Sequence, residues 1–178
     1  MKKSVSIRFL FSCHKFSCLF LFLPALAGDW QPAAGPLKTR WAADVSAKNA
    51  HPEYPRPQMV RRDWLNLNGL WDLSITRKEV EKPEAFNTQI LVPFPVESAL
   101  SGVRKSISEN DRLWYRRTFE LPRRWAGKRI LLHFGAVDFE ARVSVNGKDV
   151  GTHRGGYDAF TFDVTDAVRA ASISSVRI

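Results

Sequence analysis

The sequence predicts an all-β protein, an antiparallel β-sandwich, and three observations carry that expectation. Short alternations of apolar and polar residues recur with period two, as in Leu113–Leu121 and Phe139–Val145. Proline and glycine turn signals separate them, among them Pro93, Pro95 and Asn146-Gly147. Nowhere in the body of the chain does a 3.6-residue apolar period persist for the length of a packed helix. Many short strands joined by such turns bury their apolar faces by packing two sheets together.

The first 27 residues read as an export signal. Lys2, Lys3 and Arg8 form the positive end, Phe9–Leu26 is mostly apolar, and Ala25-Leu26-Ala27 offers small residues before a cut at Gly28. The alternative, a membrane-spanning helix, is opposed by His14, Lys15 and Pro24 inside the apolar run. The expected destination is therefore secreted or periplasmic, with no membrane association once the signal is removed. Residues 28–58 contain Pro32, Pro36, Pro52, Pro55 and Pro57, and suit an extended lead-in that Trp30, Trp41 and Tyr54 can pin to the body.

From residue 59 the strands follow in order. Asn68-Gly69 is a turn signal ahead of Leu70–Ile75, where Trp71, Leu73 and Ile75 form an apolar face and Leu70, Asp72 and Ser74 the opposite one. A short strand opens at Ile90 and ends at Pro93 and Pro95, leaving Glu97 and Ser98 in a loop. In Leu113–Leu121, the odd positions Leu113, Tyr115, Arg117, Phe119 and Leu121 face away from Trp114, Arg116, Thr118 and Glu120. Arg129–Phe134 and Phe139–Val145 give two more strands, the second with Phe139, Ala141, Val143 and Val145 on one side. Asn146-Gly147 tolerates the two positive φ angles of a tight hairpin, so the chain returns through Lys148–Gly151. Gly155-Gly156 then makes a permissive loop of HRGGYDAF, a strand follows near Phe160–Val164, and Thr165 is expected to cap a short helical turn over Asp166–Val168. Ile173–Ile178 reads as a strand just begun, and the sandwich is expected to be incomplete at its C-terminus.

The formal charge is +9, but four of the 27 basic side chains lie in the export segment, leaving 23 against 18 acidic ones. That mild excess is scattered and interleaved with acids, so no nucleic-acid footprint is indicated. Both cysteines, Cys13 and Cys18, also lie in that segment, which leaves neither disulfide nor thiolate metal site beyond it. His51, His133 and His153 lack a second ligand at metal spacing, no Walker loop or dinucleotide fingerprint occurs, and no cofactor or metal is implied. His133 reads as a satisfied interior imidazole, and Trp64 and Trp71 as core. Asp138 and Glu140 can face one side of a strand, yet basic neighbours make them ordinary surface rather than a catalytic pair.

Sugars are held by an aromatic face beneath the C–H side of the ring with polar groups around the hydroxyls. Trp114, Arg116, His153, Tyr157 and Asp158 are the residues of the right type, for carbohydrate or for an interdomain contact. The competing reading packs Trp114 and Tyr157 into the sandwich and pairs Arg116 with an acid, the commoner use of such residues.

Four blocks together resemble one family. WLNLNGLWDLSI (Trp64–Ile75), ILVPFPVESALSG (Ile90–Gly102), RLWYRRTFELP (Arg112–Pro122) and LHFGAVDFEARVSVNGKDVGTHRGGYDAFTFDVT (Leu132–Thr165) are similar, in order and spacing, to the N-terminal sugar-binding domain of glycoside hydrolase family 2. The family includes β-galactosidases, β-glucuronidases and β-mannosidases. The resemblance implies a jelly-roll, galactose-binding-like sandwich over residues 59–178, followed in full-length members by an immunoglobulin-like domain and a TIM barrel. The barrel holds the acid/base and nucleophile glutamates of a retaining double displacement, and neither falls on a position of this sequence. The expected function is thus that of the N-terminal domain of an exported glycosidase acting on β-linked sugars, inactive without its downstream domains. The alternatives are a stand-alone secreted carbohydrate-binding module and a truncated product without function. Mass spectrometry of the chain after export should show an N-terminus at Gly28, and retention of residues 1–27 would instead mark an anchor.

Overall fold

The computed structural model describes residues 30–35, 37–53, 61–169 and 173–178. The proposed export segment and most of the run Glu53–Gln58 lie outside the described residues. Eight strands are present: β1 Gly69–Arg77, β2 Thr88–Val92, β3 Asp111–Glu120, β4 Leu131–Phe134, β5 Glu140–Val145, β6 Lys148–Arg154, β7 Phe160–Asp163 and β8 Ile173–Arg177. Every pairing is antiparallel, with one six-stranded sheet in the order β2-β1-β3-β8-β5-β6 and a two-stranded sheet β4-β7. The only helical pieces among the described residues are short 3-10 turns, and none is long and apolar enough to cross a membrane. This is the all-β, antiparallel sandwich that the alternating sequence predicts.

The alternation decides which side of each strand is covered. Trp71 and Leu73 of β1, Ile90 of β2, Val143 and Val145 of β5, Leu132 of β4 and Val164 after β7 form one core, with Leu113, Tyr115 and Phe119 of β3 packed against it. The register places Leu73 opposite Tyr115 on the inner face, and Asp72 opposite Arg116 and Ser74 opposite Trp114 on the outer face. Burial pushes the Tyr115 phenol up to about 12, with Glu97 nearby adding to the shift. The charge on Arg117 falls on the inner side as the pattern requires, and its Nη1 donates to the Leu70 carbonyl at 3.0 Å.

The hairpin at Asn146-Gly147 forms as expected, with φ of 52° and 81°. Its asparagine does more than turn the chain. The side chain accepts from the Ser175 amide at 2.8 Å and donates to the Ala167 carbonyl at 2.7 Å, fastening the hairpin to β8. A register shift between Val143 and Ser144 brings Gly151 opposite Val143 on the inner face. A Cβ on Gly151 would lie 2.4 Å from a ring carbon of Phe162, so the absent side chain is what lets β7 approach β6.

Several local expectations are corrected. Gly69 does not reverse the chain. It opens β1 at φ 123°, where a Cβ would crowd Arg117 Nη1 at 3.0 Å and the Ala47 carbonyl at 3.1 Å. Phe139 is 60 % exposed and lies outside β5, so the buried series begins at Ala141. His133 is exposed, bonded to the Thr161 hydroxyl at 2.8 Å and stacked on Trp64 at 5.4 Å. The final turn is a 3-10 turn over Thr165–Ala167 whose cap position is Val164, so no side chain caps it, and the Asp163 Oδ1 accepts from the Thr165 amide at 3.0 Å. The Thr165 hydroxyl accepts instead from the Ile130 amide at 2.9 Å, joining the two edges of the small sheet. In the lead-in, Trp30 packs over Gly102 and donates to the Ser101 carbonyl, while a 3-10 turn over Arg40–Asp44 leaves Trp41 60 % exposed.

Replacing Gly151 by Ala should destabilise the sandwich by about 3 kcal/mol, through the Phe162 clash and the strained φ of 146°. Gly147→Ala, with nothing within 4 Å, should lose only the backbone preference, about 1 kcal/mol. Urea unfolding midpoints of the two variants check the difference.

Candidate functional site

The five residues singled out from the sequence do not converge. Trp114 and Arg116 are on β3, while His153 is the penultimate residue of β6 and Tyr157 and Asp158 follow that strand. Two strands, β8 and β5, intervene in the sheet, which places β3 about 14 Å from β6. His153 also faces the opposite side of the sheet from Trp114 and Arg116.

His153 is not a loop residue. β6 runs on through Arg154, and His153 pairs with the buried Ala141, which turns its ring between the sheets. There it stacks on Phe160 at 4.0 Å, and Phe160 in turn stacks on Phe134 at 4.8 Å. Its Nε2 is buried with no hydrogen-bond partner among the described residues. The imidazole thus belongs to an aromatic stack, beneath the loop rather than on it.

The loop itself is held against the turn before β5. The Gly155 amide donates to the Phe139 carbonyl at 2.8 Å, and a Cβ on Gly156 would lie 2.5 Å from Asp138 Oδ1. Glu140 pairs with Arg154 at 3.0 Å, and the Arg154 guanidinium lies 5.8 Å from the centre of the Phe139 ring. This pinning leaves Phe139 60 % and Tyr157 99 % exposed at one end of the sandwich, with Asp138 and Asp158 beside them. Tyr157 therefore packs nothing in the core. A fully exposed ring on a glycine-shaped loop that is itself fastened at both sides suits contact with another molecule or domain.

On the outer face, Arg116 donates from Nε and Nη2 to Asp72 Oδ2 at 3.0 and 2.8 Å, and its guanidinium carbon lies 4.2 Å from the Phe86 ring centre. Trp114 donates from Nε1 to the Thr76 hydroxyl at 2.9 Å, which fixes the indole over the sheet. Residues 82–86 fold across these side chains and close a recess of about 150 Å³ lined by Lys82, Glu84, Phe86, Trp114 and Arg116. The expectation that Arg116 pairs with an acid holds. Asp72, Lys82 and Phe86 were not readable as neighbours, because Phe86 and Lys82 sit in a loop without periodicity and Asp72 reaches Arg116 only through the β1–β3 register. Among the described residues, no three His, Cys, Asp or Glu side chains gather as a metal site.

The architecture defines an antiparallel β-sandwich module with an exposed aromatic loop at one end and an aromatic–arginine recess on one face. Residues 78–177 match the model of the glycosyl hydrolases family 2, sugar binding domain, and the chain belongs to that family. It is 32 % identical over 161 residues to a β-glucuronidase of Felis catus, covering 82 % of this chain and 24 % of that protein. Over 63 residues it is 40 % identical to a β-galactosidase of Thermoanaerobacter pseudethanolicus, covering 35 % of this chain and 8 % of that protein. Among solved structures, a Faecalibacterium prausnitzii β-glucuronidase superposes with a TM-score of 0.53 at 28 % identity, covering 64 % of this chain and 20 % of that one. The chain thus spans about a quarter or less of the length of these relatives.

Replacing Asp72 with Asn removes one partner of a pair about one-third exposed on each side. Chemical unfolding should show a loss of about 1 kcal/mol or less, because solvent screens the pair.

Proposed function

We propose that this sandwich is the N-terminal accessory domain of an exported glycosidase of the β-glucuronidase type, whose whole form hydrolyses terminal β-linked uronides. The observation that carries the reading is the family match together with an alignment to β-glucuronidases along 82 % of this chain and only 24 % of the relative. An immunoglobulin-like domain and a catalytic TIM barrel would follow in the whole enzyme and supply both catalytic glutamates. The sandwich would take the jelly-roll form of that family, and the basic-then-apolar first 27 residues would direct it to the periplasm or the outside.

In this reading the end bearing Phe139 and Tyr157 leans on the barrel and forms part of the rim of its pocket. An exposed aromatic pair flanked by carboxylates, on loops tied to one another, gives a firm surface for such a contact. The same exposure favours a second reading, a stand-alone secreted module that holds carbohydrate against Tyr157.

Sequencing the gene past the codon for Ile178 tests the proposal. A continuing frame that encodes a sandwich and a barrel with two glutamates is expected. The isolated 178-residue chain should then leave a chromogenic β-glucuronide uncleaved. A stop codon, with saturable glycan binding abolished by Tyr157→Ala, would replace the accessory-domain reading with the stand-alone module.

A further inference from the structure

β8 lies between β3 and β5, but it joins them along only part of their length. It pairs with β5 at Ser144 and Val145, and reaches no further along β3 than Tyr115. Beyond that level, residues 111–114 of β3 and 140–142 of β5 face one another across two strand spacings, about 10 Å. We propose that this slot is a strand-acceptor site, which takes an extended peptide segment of a partner chain in the pattern acidic, aliphatic, polar.

Both walls of the slot present backbone bonding groups. Tyr115 exchanges two backbone bonds with Ile178, at 3.1 and 3.0 Å, so the alternation of an antiparallel ladder turns the N–H and C=O of Leu113 to the same side. On β5 the Asn146 amide donates to the Ser175 carbonyl at 2.8 Å, and the same alternation turns Arg142 toward β3. Leu113 and Arg142 come next in the register that β8 follows on each wall, and no described strand pairs with them on this side. A segment in line with β8 runs antiparallel to both walls and bonds on both of its edges, whereas addition to an ordinary sheet edge bonds on one.

The side chains around the slot decide which segment fits. Continued by one residue at a time, the β8 register puts the first guest residue on the outer face between Trp114 and Arg142, and the second on the inner face between Leu113 and Ala141. The third returns to the outer face between Arg112 and Glu140. Leu113 packs on the core and Ala141 is buried and small, so the inner position suits a branched aliphatic side chain.

Charge selects the first guest residue. Arg116 and Arg142 are matched by Asp72 and Asp149, and Glu140 by Arg154. Arg112 gives one donor to the Val80 carbonyl at 3.1 Å and makes no ion pair among the described residues. It stands diagonally across from the first guest position, where an acidic side chain meets its uncommitted charge and a basic one is repelled.

Titration of the 178-residue chain with acetyl-Glu-Val-Thr-amide, followed by amide NMR shifts and hydrogen exchange, tests the proposal. Saturable shifts at residues 111–114 and 140–144 are expected, with millimolar affinity and slowed exchange of the Leu113 and Arg142 amides. The peptide with N-methylvaline at its second position loses the donor to the Leu113 carbonyl and should bind about tenfold more weakly, with the protein itself unaltered. Lysine in place of the peptide's glutamate should weaken binding about fivefold, and Arg112→Gln should remove most of that difference. Shifts centred on β2, β6 or the β4–β7 sheet, equal affinity for the N-methylated peptide, or no saturable shift would overturn the proposal. So would a dimer in which the Leu113 and Arg142 amides are already protected and the peptide displaces nothing, since a second copy then fills the slot.

Discussion

The two sheets meet where a glycine faces a phenylalanine. Gly151 stands opposite Val143 on the inner side of β6, and Phe162 of β7 occupies the space a side chain would take. That contact sets how closely the small sheet lies on the large one, and the aromatic stack of His153, Phe160 and Phe134 extends from it. Close packing of this kind tolerates little added volume, because neighbouring rings cannot retreat without opening voids elsewhere. The bulge at Val143/Ser144 matters for the same reason, since it brings Gly151 rather than a larger residue into that register.

β3 carries the division of labour in the large sheet. Its odd residues Leu113, Tyr115 and Phe119 pack on the core, and its even residues Trp114 and Arg116 build the outer recess. A single strand therefore joins stability to a surface feature, with β1 supplying the partner on each side: Leu73 opposite Tyr115 within, Asp72 opposite Arg116 without. The hairpin end is organised differently. There, backbone bonds and a glycine-to-carboxylate contact fasten two loops, and the exposed rings of Phe139 and Tyr157 follow from that fastening. One domain thus presents two chemically distinct surfaces.

Most strands were legible because a period of two needs no tertiary information. Leu70–Ile75 and Leu113–Leu121 have their faces assigned correctly by alternation alone, down to the inward Arg117. Asn146-Gly147 was legible for a similar reason, since positive φ at both positions is a local property of the chain. The candidate site was read less well. Choosing residues by type grouped His153 with Tyr157 and Asp158, but the continuation of β6 turns the imidazole inward while the tyrosine emerges. Strand length past a hairpin depends on the partner strand, which local signals do not contain.

What the sequence determined by itself is the class of fold, the inward face of the strands at Leu70–Ile75, Leu113–Leu121 and Phe139–Val145, the tight hairpin and membership of a family of blocks in a fixed order. These depend on local dihedral preferences and on the burial of alternate side chains, both written along the chain. The tertiary structure alone decided that Asp72 clasps Arg116, that Phe86 closes over them, that Phe162 fills the space at Gly151 and that Tyr157 stands free. Each of these joins residues distant in the chain, or leaves one without a neighbour, and only the register of strands and the packing of sheets fixes such distances.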